Sequence, residues 1–244
     1  MLTLPRVMGH RGAAALAPEN TLAGFRRAAA TGVRWVEFDV MLTGDAVPVL
    51  FHDDNLKRIT GRNAAMAETP YSVVRTLDAG AWFAPDFAGE RIATLEAAVA
   101  LLRELDLSAN IEIKPTPGRD RQTAAGIARV LARCWPAEAP PPLISSFSRD
   151  ALAVMQDRAP ALPRGWLALR LPRNWLSVAR GLQCATLHVA GKWLTAERAA
   201  RIKAAGYGLA TFTINDPKRA RTLLGWGVDS IITDSPDLMI AALR

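Results

Sequence analysis

Eight times along this chain an apolar run of strand length is followed by a segment whose apolar residues recur at helical spacing. Strands are expected over residues 6–10, 33–41, 109–114, 142–147, 165–171, 185–190, 208–214 and 230–233. Helices are expected over 20–31, 94–104, 120–132, 148–158, 174–180, 195–205, 216–226 and 236–243. The first helix illustrates the signal: Asn20 and Thr21 follow Pro18 as capping residues, and Leu22, Phe25 and Ala29 then line one helical face. Strand and helix in steady alternation imply parallel pairing, because each helix carries the chain back across the sheet. Eight such units in 244 residues have the size and order of an α/β fold of the (β/α)8 type, a TIM barrel forming a single domain over 1–244.

One connection breaks the rhythm. The second strand contains Trp35, Glu37, Phe38 and Asp39, and beyond Thr43-Gly44-Asp45 a further apolar run over 47–51 leads into His52-Asp53. The gap is too short for a parallel crossover, so the two runs are expected to form an antiparallel hairpin. Residues two apart on a strand share a face, which points Glu37 and Asp39 the same way. With the turn near Gly44-Asp45, counting along the hairpin sets His52 across from Glu37 or its neighbour. Residues 54–91 are irregular, punctuated by Gly61, Pro70, Gly80, Pro85 and Gly89. Hairpin and irregular stretch together, approximately 43–91, read as a small insertion after strand two. Its aromatic trio Trp82, Phe83 and Phe87 is expected to form a core rather than a ligand platform.

In such a barrel the site lies at the C-terminal ends of the strands. His10-Arg11, Glu37 and Asp39, Glu112 and Lys114, Ser145-Ser146, His188, Thr213 to Asn215 and Thr233-Asp234 all fall on or at the ends of expected strands. Glu37, Asp39 and Glu112 offer hard oxygen ligands from adjacent strands, which favours one divalent cation, Mg²⁺ or Ca²⁺, over zinc. Arg11 and Lys114 add positive charge to the same rim, so the site suits phosphoryl oxygens. His10 and His52 are the expected acid and base, since imidazole titrates near neutrality. His188 stays open between substrate contact and a structural hydrogen bond. Pro18 to Thr21 are read as shaping the first loop, with Glu19 near enough to orient His10, and Asp53 placed to do the same for His52.

A hydrophobic fraction of 50% with 22% charged residues excludes a disordered chain. Cys134 and Cys184 have no zinc-like or CxxC spacing, and no signal segment or apolar stretch of spanning length is visible, so a reducing, cytoplasmic location without stable membrane insertion is expected. The formal charge of +7 has its arginines scattered rather than in a long basic run, and is read as a solvated surface that draws in an anionic small molecule, with no nucleic-acid partner.

Taken together and in order, His10-Arg11-Gly12, Pro18-Glu19-Asn20-Thr21, Glu37-Phe38-Asp39-Val40, His52-Asp53, Glu112-Ile113-Lys114, Phe212-Thr213-Ile214-Asn215 and Thr233-Asp234-Ser235-Pro236 resemble the glycerophosphodiester phosphodiesterases across essentially the whole chain. The resemblance implies a metal on Glu37, Asp39 and Glu112, His10 and His52 as the acid and base pair, and Arg11 and Lys114 near the phosphate. It also implies hydrolysis of diesters such as glycerophosphocholine or glycerophosphoethanolamine to sn-glycerol 3-phosphate and an alcohol, a step of lipid and glycerol metabolism. Phe212 stands where the family usually has Trp, keeping an aromatic wall at the substrate but losing the indole donor. Ala93 replaces a common Pro before the helix beginning near Thr94. Two other readings are a lysophospholipid or phosphoinositide phosphodiesterase, favoured by an apolar groove beside Trp82, Phe83 and Phe87, and a non-catalytic barrel that binds glycerol phosphates. A phosphate-binding isomerase lacks its glycine-rich loop here.

Overall fold

The computed structural model describes residues 2–243; the end residues of the 1–244 domain reading lie outside them. The elements run β1 (Val7–Gly9), α1 (Leu22–Ala30), β2 (Trp35–Leu42), β3 (Pro48–Leu50), α2 (Lys57–Thr60), α3 (Tyr71–Val74), α4 (Leu95–Glu104), β4 (Ser108–Ile113) and α5 (Asp120–Cys134). They continue as β5 (Leu143–Ser146), α6 (Arg149–Arg158), β6 (Arg164–Ala168), α7 (Trp175–Gly181), β7 (Thr186–Ala190), α8 (Ala196–Ala204), β8 (Gly208–Phe212), α9 (Pro217–Gly225), β9 (Ser230–Thr233) and α10 (Pro236–Ala242). All strands but β3 pair in parallel around a closed barrel, and β1 completes the ring by pairing with both β9 and β2. The expected TIM barrel is therefore the fold.

Alternation along β2 and β4 explains why the same strands carry both core and site. Val36, Phe38 and Val40, with Ala109, Ile111 and Ile113, face outward into the core shared with the helices. Phe38 meets Phe25 of α1 with ring centroids 5.0 Å apart. The intervening Glu37, Asp39 and Glu112 must then face the barrel interior. Helix starts follow the sequence closely. Thr21, Thr94, Ser148 and Thr195 each accept a backbone N–H of the first turn, a contact worth about 1 kcal/mol. Strand β6 stops at Ala168, short of the expected 171, because the chain turns outward at Leu169, which is 60% exposed.

The hairpin is antiparallel, with Val40 opposite Leu50 and Leu42 opposite Pro48. Its register, extended two residues, sets His52 opposite Phe38, the neighbour of Glu37. Beyond it the insertion packs on Met41, Val49, Phe51, Leu56, Ile59, Met66 and Val74, a mainly aliphatic core. The aromatic trio is not that core. Trp82, Phe83 and Phe87 stack edge to face on one another at 5.8 and 5.5 Å, and Trp82 is 41% exposed. The reason is local: Gly80 lies so close to the carbonyl of Phe87 that residues 80–87 curl on themselves, and the rings meet each other before they reach the interior. The barrel holds the insertion through Arg119, whose Nη1 donates to the carbonyls of Thr43 (3.0 Å) and Ala67 (3.4 Å). No helix among the described residues is long and apolar enough to cross a membrane.

Candidate active site

Asp39 and Glu112 are register partners on β2 and β4, and Glu37 sits one pleat below Asp39. Each of the three carboxylates offers an oxygen within 4.8 Å of the others, and all are buried. Burial pushes the Glu37 carboxyl up to about 7, with the His10 charge opposing and Asp39 adding to the rise. Glu112 is raised well above its ordinary value for the same first reason, then by Asp39. Its Oε1 is buried without a hydrogen-bond partner. Three buried acids with an orphaned oxygen form a hard donor set that could bind a divalent cation.

The first loop braces this set. Arg11 and Asn20 both adopt left-handed backbone, φ 48° and 54°, a conformation that costs a non-glycine residue about 1–2 kcal/mol. The turn aims the Arg11 N–H at Glu37 Oε2 (3.1 Å), and Asn20 N donates to the Arg11 carbonyl (3.1 Å). Asn20 binds Asp39 twice, its Nδ2 donating to Oδ2 (2.9 Å) and its Oδ1 accepting from the Asp39 N–H (3.1 Å). Asn20 therefore holds a carboxylate, a part the sequence reading reduced to loop shaping. Gly9 permits the turn, since any Cβ there would overlap the Gly12 carbonyl oxygen.

Both expected catalytic imidazoles are held by carboxylates at Nδ1. His10 Nδ1 donates to Asp234 Oδ1 (2.6 Å), and His52 Nδ1 donates to Asp53 Oδ1 (2.6 Å). A carboxylate only accepts, so each Nδ1 carries a proton and each Nε2 is left for the site. His10 Nε2 lies 3.9 Å from Glu37 Oε2, and His52 Nε2 accepts from Lys114 Nζ at 2.9 Å. Burial works against protonating His10, but Asp234 and then Glu37 outweigh it and raise its pKa. Asp234 is fixed in turn by Asn215 Nδ2, which donates to Oδ2 at 2.6 Å. Strand order puts His10 on the β1 side of the acids and the His52–Lys114 pair on the β4 side.

The expected Glu19–His10 contact is not formed. Glu19 accepts from Arg11 Nη1 (2.6 Å) and from both Nη atoms of Arg58 (2.8 Å each), because the left-handed turn at Arg11 swings that guanidinium toward Asn20 and Glu19. Arg58, on α2 of the insertion, also donates to both oxygens of Asp53 (2.6 and 3.0 Å). These bonds are the first cause of the depressed Asp53 pKa, about 2. Arg58 escaped the sequence reading; its only signal was a cation five residues after Asp53 on a short helix. Arg11 also pairs with Asp39, Nε to Oδ2 at 3.2 Å, and Lys114 with Glu112, Nζ to Oε1 at 3.5 Å.

His188 lies apart from this group. It is fully buried inside the barrel, its ring shares a 3.0 Å hydrogen bond with Thr186 Oγ1, and burial lowers its pKa to about 4, which keeps it neutral. The bond to Thr186 fits its structural reading, and its Nδ1 is buried without a hydrogen-bond partner among the described residues. Phe212 ends β8 and meets Phe147 edge to face at 5.8 Å, while Lys114 Nζ lies 5.9 Å from the Phe147 ring. Beside the insertion the surface forms an open hollow of about 480 Å³ lined by Asp53, Asn55, Lys57, Arg58 and Asn63.

Residues 10–238 match the glycerophosphoryl diester phosphodiesterase family. A glycerophosphodiester phosphodiesterase of Caldanaerobacter subterraneus subsp. tengcongensis is 32% identical, with 98% of this chain and 97% of that protein aligned. Among solved structures, a phosphodiesterase of Oleispira antarctica in complex with the product sn-glycerol-3-phosphate superposes with TM-score 0.96 at 38% identity, covering 98% of this chain and 97% of that one. A glycerophosphodiester phosphodiesterase of Agrobacterium tumefaciens superposes with TM-score 0.78 at 26% identity, covering 98% and 100% of the two chains.

Proposed function

The chain belongs to the glycerophosphoryl diester phosphodiesterase family and is a glycerophosphodiester phosphodiesterase, and we propose that it hydrolyses water-soluble diesters such as glycerophosphocholine and glycerophosphoethanolamine, with one divalent cation, to sn-glycerol 3-phosphate and the free alcohol. The observation that carries this reading is the buried acidic triad flanked by two histidines, each oriented by its own carboxylate. In this reading the domain spans 1–244, with 43–91 as the insertion that frames the substrate. Two free cysteines support a cytoplasmic location.

Glu37, Asp39 and Glu112 hold the cation, Mg²⁺ or Ca²⁺, whose chemistry is to stabilise negative charge on phosphoryl oxygens. Arg11 adds a fixed cation and an oriented backbone on the same side. His52 is the base. Its Nδ1 donates to Asp53 and its Nε2 accepts from Lys114, so it presents a lone pair that takes a proton of the attacking water as Lys114 turns to the phosphate. His10, beside Glu37 and backed by Asp234, is the acid that protonates the departing alcohol. Phe212 and Phe147 wall the opposite side, where the alcohol lies.

The insertion meets the site through charged side chains, Arg58 on Asp53 beside His52 and on Glu19 beside Arg11, which favours soluble diesters over lipid-tailed ones. A panel of glycerophosphodiesters and lysophospholipids, assayed with Mg²⁺, Ca²⁺ or chelator, tests the proposal. Release of glycerol 3-phosphate only with a divalent cation, and faster from the soluble diesters, is the expected outcome. Chelator-resistant turnover or a preference for lysophospholipids overturns it.

A further inference from the structure

The positive charge of this chain is not spread evenly. Residues 158–215 hold nine of the 30 Lys and Arg but one of the 23 Asp and Glu, a net +8 that exceeds the whole chain's +7. The remainder of the molecule is thus slightly acidic. This segment builds β6, α7, β7, α8 and β8, one side of the barrel, and its β6–α7 and β7–α8 loops open on the same face as the site. Of its cations, Arg170, Arg173 and Lys192 lie in those two loops and Arg198 in the first turn of α8, whereas Arg164 is held at the far end of the barrel by the Leu182 and Gln183 carbonyls and Lys203 is paired with Asp229.

Exposed apolar side chains collect at the same edge. Phe147, Leu169 and Trp193 are 40%, 60% and 37% exposed, and they follow β5, β6 and β7, three neighbouring strands. Cations are interleaved with them: the Arg170 guanidinium lies 3.4 Å from the centre of the Trp193 ring and Lys192 Nζ 5.1 Å from it. Next to Leu169, a cleft of about 250 Å³ between the β6–α7 loop and α8 is lined by Arg173, Arg198 and Arg201 together with Leu171 and Trp175. Among the described residues none of Arg170, Arg173, Lys192, Arg198 and Arg201 enters an ion pair.

We propose that the rim formed by Leu169, Arg170, Lys192 and Trp193, with the adjoining arginine cleft, docks this protein reversibly on an anionic phospholipid surface. The chemistry selects this occupant. Indole and leucine side chains partition into the interfacial region of a bilayer, while unpaired Arg and Lys find lipid phosphates at the same depth. A second copy of the chain would set like charge against like. A single-stranded nucleic acid would need free aromatic faces to stack on, but a face of Trp193 is covered by Arg170 and Leu169 has none. Docked in this way, the mouth of the barrel faces the membrane from which deacylated, water-soluble diesters are released.

The test is co-sedimentation of the full chain with phosphatidylglycerol vesicles and with phosphatidylcholine vesicles, with turnover of glycerophosphocholine measured in parallel. Binding is expected to the first and at least about tenfold less to the second. Leu169→Ser with Trp193→Ser removes the apolar contacts without changing charge; it is expected to lose about tenfold in vesicle partitioning while turnover of the soluble diester is kept. Arg170→Glu and Arg129→Glu make the same change of charge, the latter on exposed α5, and only the first is expected to weaken binding markedly. Equal loss in both, unaltered partitioning of the double serine variant, failure to bind phosphatidylglycerol, or preferential capture by a polyuridylate resin each overturns the proposal. Circular dichroism of the variants separates lost docking from lost fold.

Discussion

Arg58 joins Asp53 to Glu19: one guanidinium, carried on the insertion, donates four hydrogen bonds of 2.6 to 3.0 Å to these two carboxylates. Asp53 orients His52 and Glu19 holds Arg11, so the histidine of one edge and the arginine of the other share a common brace. Arg58→Gln should lower kcat about tenfold or more with KM little changed, since it loosens orientation rather than substrate contact. The side chain is partly exposed, so the loss of stability should stay within about 1 kcal/mol. Steady-state kinetics beside a thermal melt measure both, and an unchanged kcat would show that the brace is idle.

The two histidines should part company when the leaving group changes. His10→Ala and His52→Ala are each expected to cost at least about 10²-fold on glycerophosphocholine. With a p-nitrophenyl ester of glycerol phosphate, whose phenolate leaves without a proton, His10→Ala should recover most of its rate and His52→Ala should not. The reverse pattern would exchange the two roles. Asp234→Asn should follow His10→Ala, because it removes the acceptor that fixes the His10 tautomer.

Cation binding and pH should be linked through Glu37. Its carboxyl is raised from an ordinary 4.5 to about 7 by burial, so between these values the folded chain binds a proton that the unfolded chain has lost. Stability from this group is therefore present below about 4.5 and falls as pH rises through about 7, the opposite of a salt-bridged carboxylate. Under chelation, Glu37→Gln should gain in stability relative to the parent from pH 5 to pH 7.5. Added Mg²⁺ or Ca²⁺ should stabilise the parent more at pH 8 than at pH 6, because cation and proton compete for the same oxygens. Parallel melting curves with flat differences would remove the cation from the triad.

His188 carries the contrary slope. Burial lowers its pKa from 6.5 to about 4, so over that window the unfolded chain binds the extra proton and stability falls as pH drops. His188→Gln keeps a hydrogen-bonding group toward Thr186 and should flatten acid denaturation between pH 6.5 and 4 while altering KM less than twofold. A large rise in KM would return His188 to the substrate.

Much of the fold is legible in the residues because its cause is local. Period-two runs such as Val36, Phe38 and Val40 and capping residues such as Thr94 and Ser148 act within a few positions of themselves. The acidic triad follows almost as directly: once β2 and β4 are neighbours, parity alone turns Glu37, Asp39 and Glu112 to one side. The aromatic trio misled because composition reports that rings cluster without reporting on which side of a curled segment they do so.

The barrel, the hairpin, the three carboxylates and the two histidines can be read along the chain, since strand parity and helix periodicity are properties of neighbouring residues. Which residue holds which depends on the folded barrel. Asp234 reaches His10 from 224 positions away, Arg58 binds Glu19 across 39, and Asn20 braces Asp39 from a left-handed turn. Such pairs meet because barrel closure sets β9 beside β1 and the insertion folds back over the rim. A hydrogen bond needs its partners within about 3 Å, and at these separations the closed sheet, not the spacing along the chain, sets that distance.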